Sequence, residues 1–141
     1  MANQVTIAYD KSLCAELKLS DQSSLIIGAP CQGGKADALS PKDLFAASYG
    51  SCLIMVMDIV AKKVGFDIAG AKINVSPVWA TDKSILAEIN STVVLPAPLT
   101  EVQLDTLRKG AQKCPIQNSL RTEVKTTLAF EFVQEASTKN L

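Results

Sequence analysis

The sequence predicts an α+β domain organised around one long buried helix. Three observations lead there. An apolar run from Leu44 to Ala61 carries helix end signals on both sides, alternating segments on either side of it read as strands, and the strands come in clusters, not in strict alternation with helices. With 141 residues and 48% hydrophobic composition, a single domain over residues 1–141 with a sizeable core is expected.

The helix is bounded locally. Ser40 is placed to cap the free amides of the first turn, Pro41 suits the first helical position, and Asp43 stands where a carboxylate reaches back to the cap. Lys62 and Lys63 set positive charge against the carbonyl end, and Gly65 is free to take the left-handed conformation that closes it. About 24 residues at ~1.5 Å each make a rod of roughly 36 Å. Its middle is apolar on every side apart from Ser48, Gly50, Ser51 and Asp58, which predicts burial all round. A membrane span is disfavoured by Asp58 inside the run and by the lack of a second such segment. Strands on one side of such a rod leave the other side bare, so an obligate homodimer with a large apolar interface is expected. Cys52 sits near the midpoint of the rod, and whether its thiol is core filler or reagent is the main functional question.

Before the helix, Val5 to Tyr9, Leu13 to Leu19 and Ser24 to Ala29 read as three strands joined by short turns, an antiparallel meander. Alternation places Cys14 with Glu16 and Lys18 on the polar side, as a surface thiol. Pro30 to Leu39 is a flexible connection holding Cys31 and Lys35, without the spacing of a phosphate-binding loop. Beyond the helix, Ala71 to Trp79 and Ile85 to Leu95 read as a strand and its return, Pro77 marking the first as an edge or a bulge. Thr100 with Gln103 forms a capping box for an amphipathic helix that ends near Lys113. Pro115 then suits the start of a short helix capped by Cys114, whose sulfur would lie beside free N–H groups that favour thiolate. Thr122 to Val133 alternates as the longest strand, and the tail from Gln134 to Leu141 is polar and expected to fray.

Composition removes several function classes. Fourteen basic residues balance fourteen acidic ones with no basic run, which argues against a nucleic-acid partner. There is no histidine, so no mechanism uses imidazole as base or ligand. The four cysteines, Cys14, Cys31, Cys52 and Cys114, follow no zinc-ligand spacing, and neither metal nor cofactor is expected. No basic stretch followed by an apolar core opens the sequence, so a reducing cytoplasm is expected, where a transient disulfide would be functional.

Two segments, Ser40-Pro41-x-x-Leu44-Phe45-Ala46-Ala47-x-x-x-Ser51-Cys52 and Cys114-Pro115-Ile116-x-Asn118-x-Leu120, resemble the OsmC/Ohr family of thiol-dependent peroxidases. The resemblance implies an intertwined homodimer in which antiparallel sheets wrap two central helices. It also implies a reaction. The first cysteine, here Cys52, attacks a peroxide as thiolate and becomes a sulfenic acid; the second, here Cys114, condenses with it to a disulfide that an external dithiol reduces. Apolar walls, for which Phe45, Tyr49 and Met55 are the candidates, would favour a small apolar hydroperoxide.

The chain departs from the family at the cation. The family pattern has an arginine near the strand-to-helix connection, paired to a glutamate ten residues before the first cysteine. Here the only arginines are Arg108 and Arg121, and Lys42 holds the glutamate position. Either Lys42 or Lys35 supplies the positive charge, or the chain keeps a slower thiol function, since lysine lacks the bidentate fork of arginine. Two further readings stay open: a binding protein of the same fold whose Cys52 only lines a pocket, and a chain whose cysteines are core residues.

Overall fold

The computed structural model describes residues 4–9, 14–18, 24–28, 39–82 and 84–133. The chain divides into two compact units, Met1–Phe45 and Ala46–Leu141.

In the first unit β1 (Thr6–Tyr9), β2 (Cys14–Lys18) and β3 (Ser24–Gly28) pair antiparallel in the order β1-β2-β3. Each lies within the stretch that its apolar alternation suggested. Cys14 departs from expectation, for it is buried, opposite Gly28. Alternation assigns a side chain to a face of a sheet, but it does not say what covers that face. The expected loop thiol Cys31, Lys35 and the tail beyond Val133 lie outside the described residues.

Helix α1 (Pro41–Val64) starts in this unit and continues into the second. Its start is set by a reciprocal box: the Ser40 N–H donates to Asp43 Oδ2 and the Asp43 N–H to Ser40 Oγ, both at 3.1 Å. It ends at Gly65, whose φ of 95° is the left-handed conformation that a Cβ would disfavour. Phe66 N–H then reaches back to the Ala61 carbonyl at 3.0 Å.

The second unit holds a three-stranded sheet in the order β4-β5-β6, from β4 (Lys72–Trp79), β5 (Leu86–Leu95) and β6 (Lys125–Phe132). β4 is an edge strand, the first of the two settings expected for Pro77, and its register shifts just beyond, between Val78 and Trp79. β5 and β6 pair in parallel, correcting the expectation of purely antiparallel sheets. Parallel neighbours need a long crossover, and the segment carrying α2 (Glu101–Ala111) and α3 (Pro115–Asn118) supplies it. Strand periodicity carries no information about direction.

Burial along β5 alternates strictly, with Ile89, Ser91, Val93 and Leu95 inside. From α1 the buried residues are Tyr49, Gly50, Leu53, Met57 and Ala61, and from α2 they are Leu104, Leu107, Gly110 and Ala111. A Cβ on Gly50 would stand 2.7 Å from Val75 Cγ2, and one on Gly110 would stand 2.5 Å from Val60 Cγ2. These two glycines let α1 lie directly on β4 and let α2 lie directly on α1. Within the chain, burial of α1 is one-sided, not all round. Met55 is 63% exposed and Ile59 52% exposed. The run is long and apolar enough to cross a membrane, with a mean hydropathy of 1.8, yet one of its faces is packed on protein.

Candidate functional site

Cys52 lies mid-way along α1 and Cys114 caps α3, and the fold brings their sulfurs to 2.8 Å across 62 positions of sequence. Both thiols are free, Cys114 fully buried and Cys52 partly accessible.

The placement of Cys114 follows from local chemistry. α2 ends in tight bonds from Lys113 N–H to the Gly110 carbonyl (2.9 Å) and from Cys114 N–H to Ala111 (3.1 Å). Pro115 has no N–H to lose and opens α3 at once. The Asn118 side chain donates to the Gln112 carbonyl at 3.1 Å, tying the short helix back to the end of α2. Cys114 is left in extended backbone at the cap, its Sγ accepting from Gln117 N–H at 3.5 Å.

The expected cap geometry is therefore present, but its expected effect on the thiol is not. Burial, together with the hydrogen bond that Cys114 donates to Cys52, pushes the Cys114 thiol up; the amides of Gln117 and Ile116 pull it down and do not prevail. The pair is asymmetric in its surroundings, with Cys114 buried and donating to Cys52, which is partly accessible.

Tyr49 is one helical turn before Cys52. The residue is 1% exposed and its hydroxyl donates to Gln117 Oε1 at 3.0 Å. Burial first, then the neighbouring Cys114, hold the phenol above its ordinary value. Gln117 was not singled out from the sequence, although its place three residues after a capping residue was the signal available.

A groove of about 450 Å³ runs along α1 and β4, walled by Gly50, Ser51, Ile54, Ile73 and Val75 among others. Phe45, Tyr49 and Met55 are not among its walls, and neither is Cys52, which sits about 160° around the helix from Gly50. Among the described residues no group of three or more Cys, Asp or Glu is placed to hold a metal.

The profile of the OsmC-like protein family matches residues 34–129, a span that includes both cysteines. The chain belongs to the OsmC-like protein family. No curated protein matches this OsmC-like chain. Among solved structures it is similar to a protein from Psychrobacter arcticus 273-4, provisionally described as an osmotic stress induced and detoxification response protein. That match has 25% identity and a TM-score of 0.83, over 93% of this chain and 97% of the other. It also shares its fold with an organic hydroperoxide resistance protein OsmC from Legionella pneumophila (18% identity, TM-score 0.74, 93% and 97% covered). A third such structure is the organic hydroperoxide resistance protein OhrB of Bacillus subtilis (20% identity, TM-score 0.70, 93% and 98% covered).

Arg108 is paired with Glu101 at 2.8 Å and lies 5.5 Å over the Phe130 ring, and Arg121 is exposed. Lys42 is exposed in the first turn of α1.

Proposed function

We propose that this OsmC-like protein reduces small apolar hydroperoxides with Cys52 and Cys114 and is reset by an external dithiol. The observation that carries the proposal is the contact of two free sulfurs at 2.8 Å, one buried and one reachable. Cys52 attacks the O–O bond as thiolate; the alkoxide leaves and takes a proton, and Cys52 becomes a sulfenic acid. Cys114 then displaces the hydroxyl from that sulfur, its thiol proton leaving with the hydroxyl as water, and the disulfide forms. A dithiol reduces the disulfide by exchange. Lys42 or Lys35 supplies positive charge to the first step in place of arginine. The working form is a homodimer in which a second copy covers the exposed Met55 and Ile59 face of α1, and the setting is a reducing cytoplasm.

Dithiol-coupled consumption of cumene hydroperoxide tests the proposal. The expected result is turnover in the parent protein, none in Cys52→Ser, and a single turnover in Cys114→Ser. Equal activity with and without Cys52 overturns it. The engagement of Arg108 with Glu101 and Phe130 favours a second reading, a slower thiol oxidoreductase without efficient peroxide turnover. That reading predicts dithiol–disulfide exchange at the Cys52–Cys114 pair with negligible hydroperoxide consumption.

A further inference from the structure

The second step of the proposed cycle is the one most sensitive to geometry. Forming an S–S bond requires the Cys114 sulfur to approach Cys52 opposite the departing hydroxyl, and misplacement of about 1 Å can slow such a reaction by 10²-fold. Cys114 sits on a four-residue helix, an element too short to hold its own position. Two contacts converge on it from Gln117. The backbone N–H of Gln117 holds the Cys114 sulfur at 3.5 Å, and the Gln117 side chain accepts from the Tyr49 hydroxyl at 3.0 Å. Tyr49 and Cys52 share one turn of α1, so the phenol fastens α3 to the same piece of helix that carries the attacking sulfur. A phenol buried to 1% exposure that lost this partner would be left unsatisfied, which keeps the contact closed.

We infer that Tyr49 and Gln117 act as a positioning pair that holds Cys114 in register with Cys52 for disulfide closure. The inference rests on the peroxidase reading for its physiological setting. Its geometry concerns only the joining of the two sulfurs. Of the two cysteines only Cys52 attacks the peroxide, whereas the bonds of Tyr49 and Gln117 lead to Cys114, so the pair governs the second step. The balance is that of the closure above: the S–O bond of the sulfenic acid breaks, the S–S bond forms, and the thiol proton leaves in water.

Single-turnover kinetics on Tyr49→Phe and Gln117→Leu test the pair, with dimedone trapping to read the sulfenic acid and free-thiol counting to read closure. Both variants should form the sulfenic acid at the parent rate and close it about ten- to a hundredfold more slowly. A second equivalent of hydroperoxide should then convert Cys52 to sulfinic acid in the variants before it does so in the parent. The double variant should be no slower than either single one, because both remove the same contact. Unchanged iodoacetamide alkylation of Cys52 and an unchanged circular dichroism spectrum report an intact fold. Closure at the parent rate in both variants, or additive losses in the double variant, overturns the inference. If the parent forms no sulfenic acid, the peroxidase reading fails. Diamide, which oxidises two thiols directly to a disulfide and is itself reduced to the hydrazine, then measures closure in the same variants and decides the pair separately.

Discussion

Replacing Gly50 by alanine sets two effects of opposite sign against each other. Alanine is favoured over glycine in a helix interior by about 1 kcal/mol. The new Cβ, however, would stand 2.7 Å from Val75 Cγ2 and 3.4 Å from Ile73 Cγ2, where methyl groups ordinarily meet at about 3.5–4.0 Å. Relief requires either a shift of roughly 1 Å between α1 and β4 or rotation of Val75, and a β-branched side chain resists rotation. Overpacking of this kind costs about 1–3 kcal/mol. The net expectation is a loss of about 1 kcal/mol, seen as a lower urea midpoint and a Tm lower by about 3–5 °C under reducing conditions. Val75→Ala in the same background removes the obstructing methyl, so the double variant should lose less than the sum of the single losses. A Gly50→Ala protein that gains the full 1 kcal/mol would show that α1 does not rest on β4 at this point.

Cys114 and Tyr49 both hold their protons to higher pH in the folded chain than in the unfolded one, so the folded state binds more protons once the unfolded thiol titrates. Stability from this source should be level below pH ~8.5, fall as pH rises through the folded value of Cys114, and fall again above pH ~10 where tyrosine titrates. Urea midpoints measured from pH 7 to 10.5 with reductant check this: Cys114→Ala should flatten the first decline, and a profile identical to the parent refutes the assignment. At the start of α2, Thr100 Oγ1 accepts from Gln103 N–H at 3.2 Å while Gln103 Oε1 accepts from Thr100 N–H at 2.9 Å. Thr100→Ala should therefore lose about 1 kcal/mol and Thr100→Ser much less, and equal stabilities in chemical denaturation would contradict the capping box.

Local signals proved legible because they are satisfied locally. Ser40 with Asp43, Thr100 with Gln103, Gly65 and Pro115 each meet the backbone within a few residues of themselves, and each stands where its chemistry placed it. Cys52 and Cys114 were identifiable as a pair through the family motifs that surround them. Gln117 and the role of Tyr49 were not, because a hydrogen bond between residues 68 positions apart leaves no periodic trace.

The sequence by itself determined the order and type of the helices and strands and the caps that start α1 and α2, since capping, turn chemistry and hydrophobic period are properties of neighbours along the chain. It also determined which residues are equipped for thiol chemistry and, by the absence of histidine, which mechanisms are closed. Only the tertiary structure decided that β6 runs parallel to β5, that Cys14 is covered, that α1 turns one apolar face outward, and that the Cys114 thiol is pushed up. Each of these depends on what long-range folding places against a group, and desolvation by distant side chains outweighs the short-range pull of the amides at the cap.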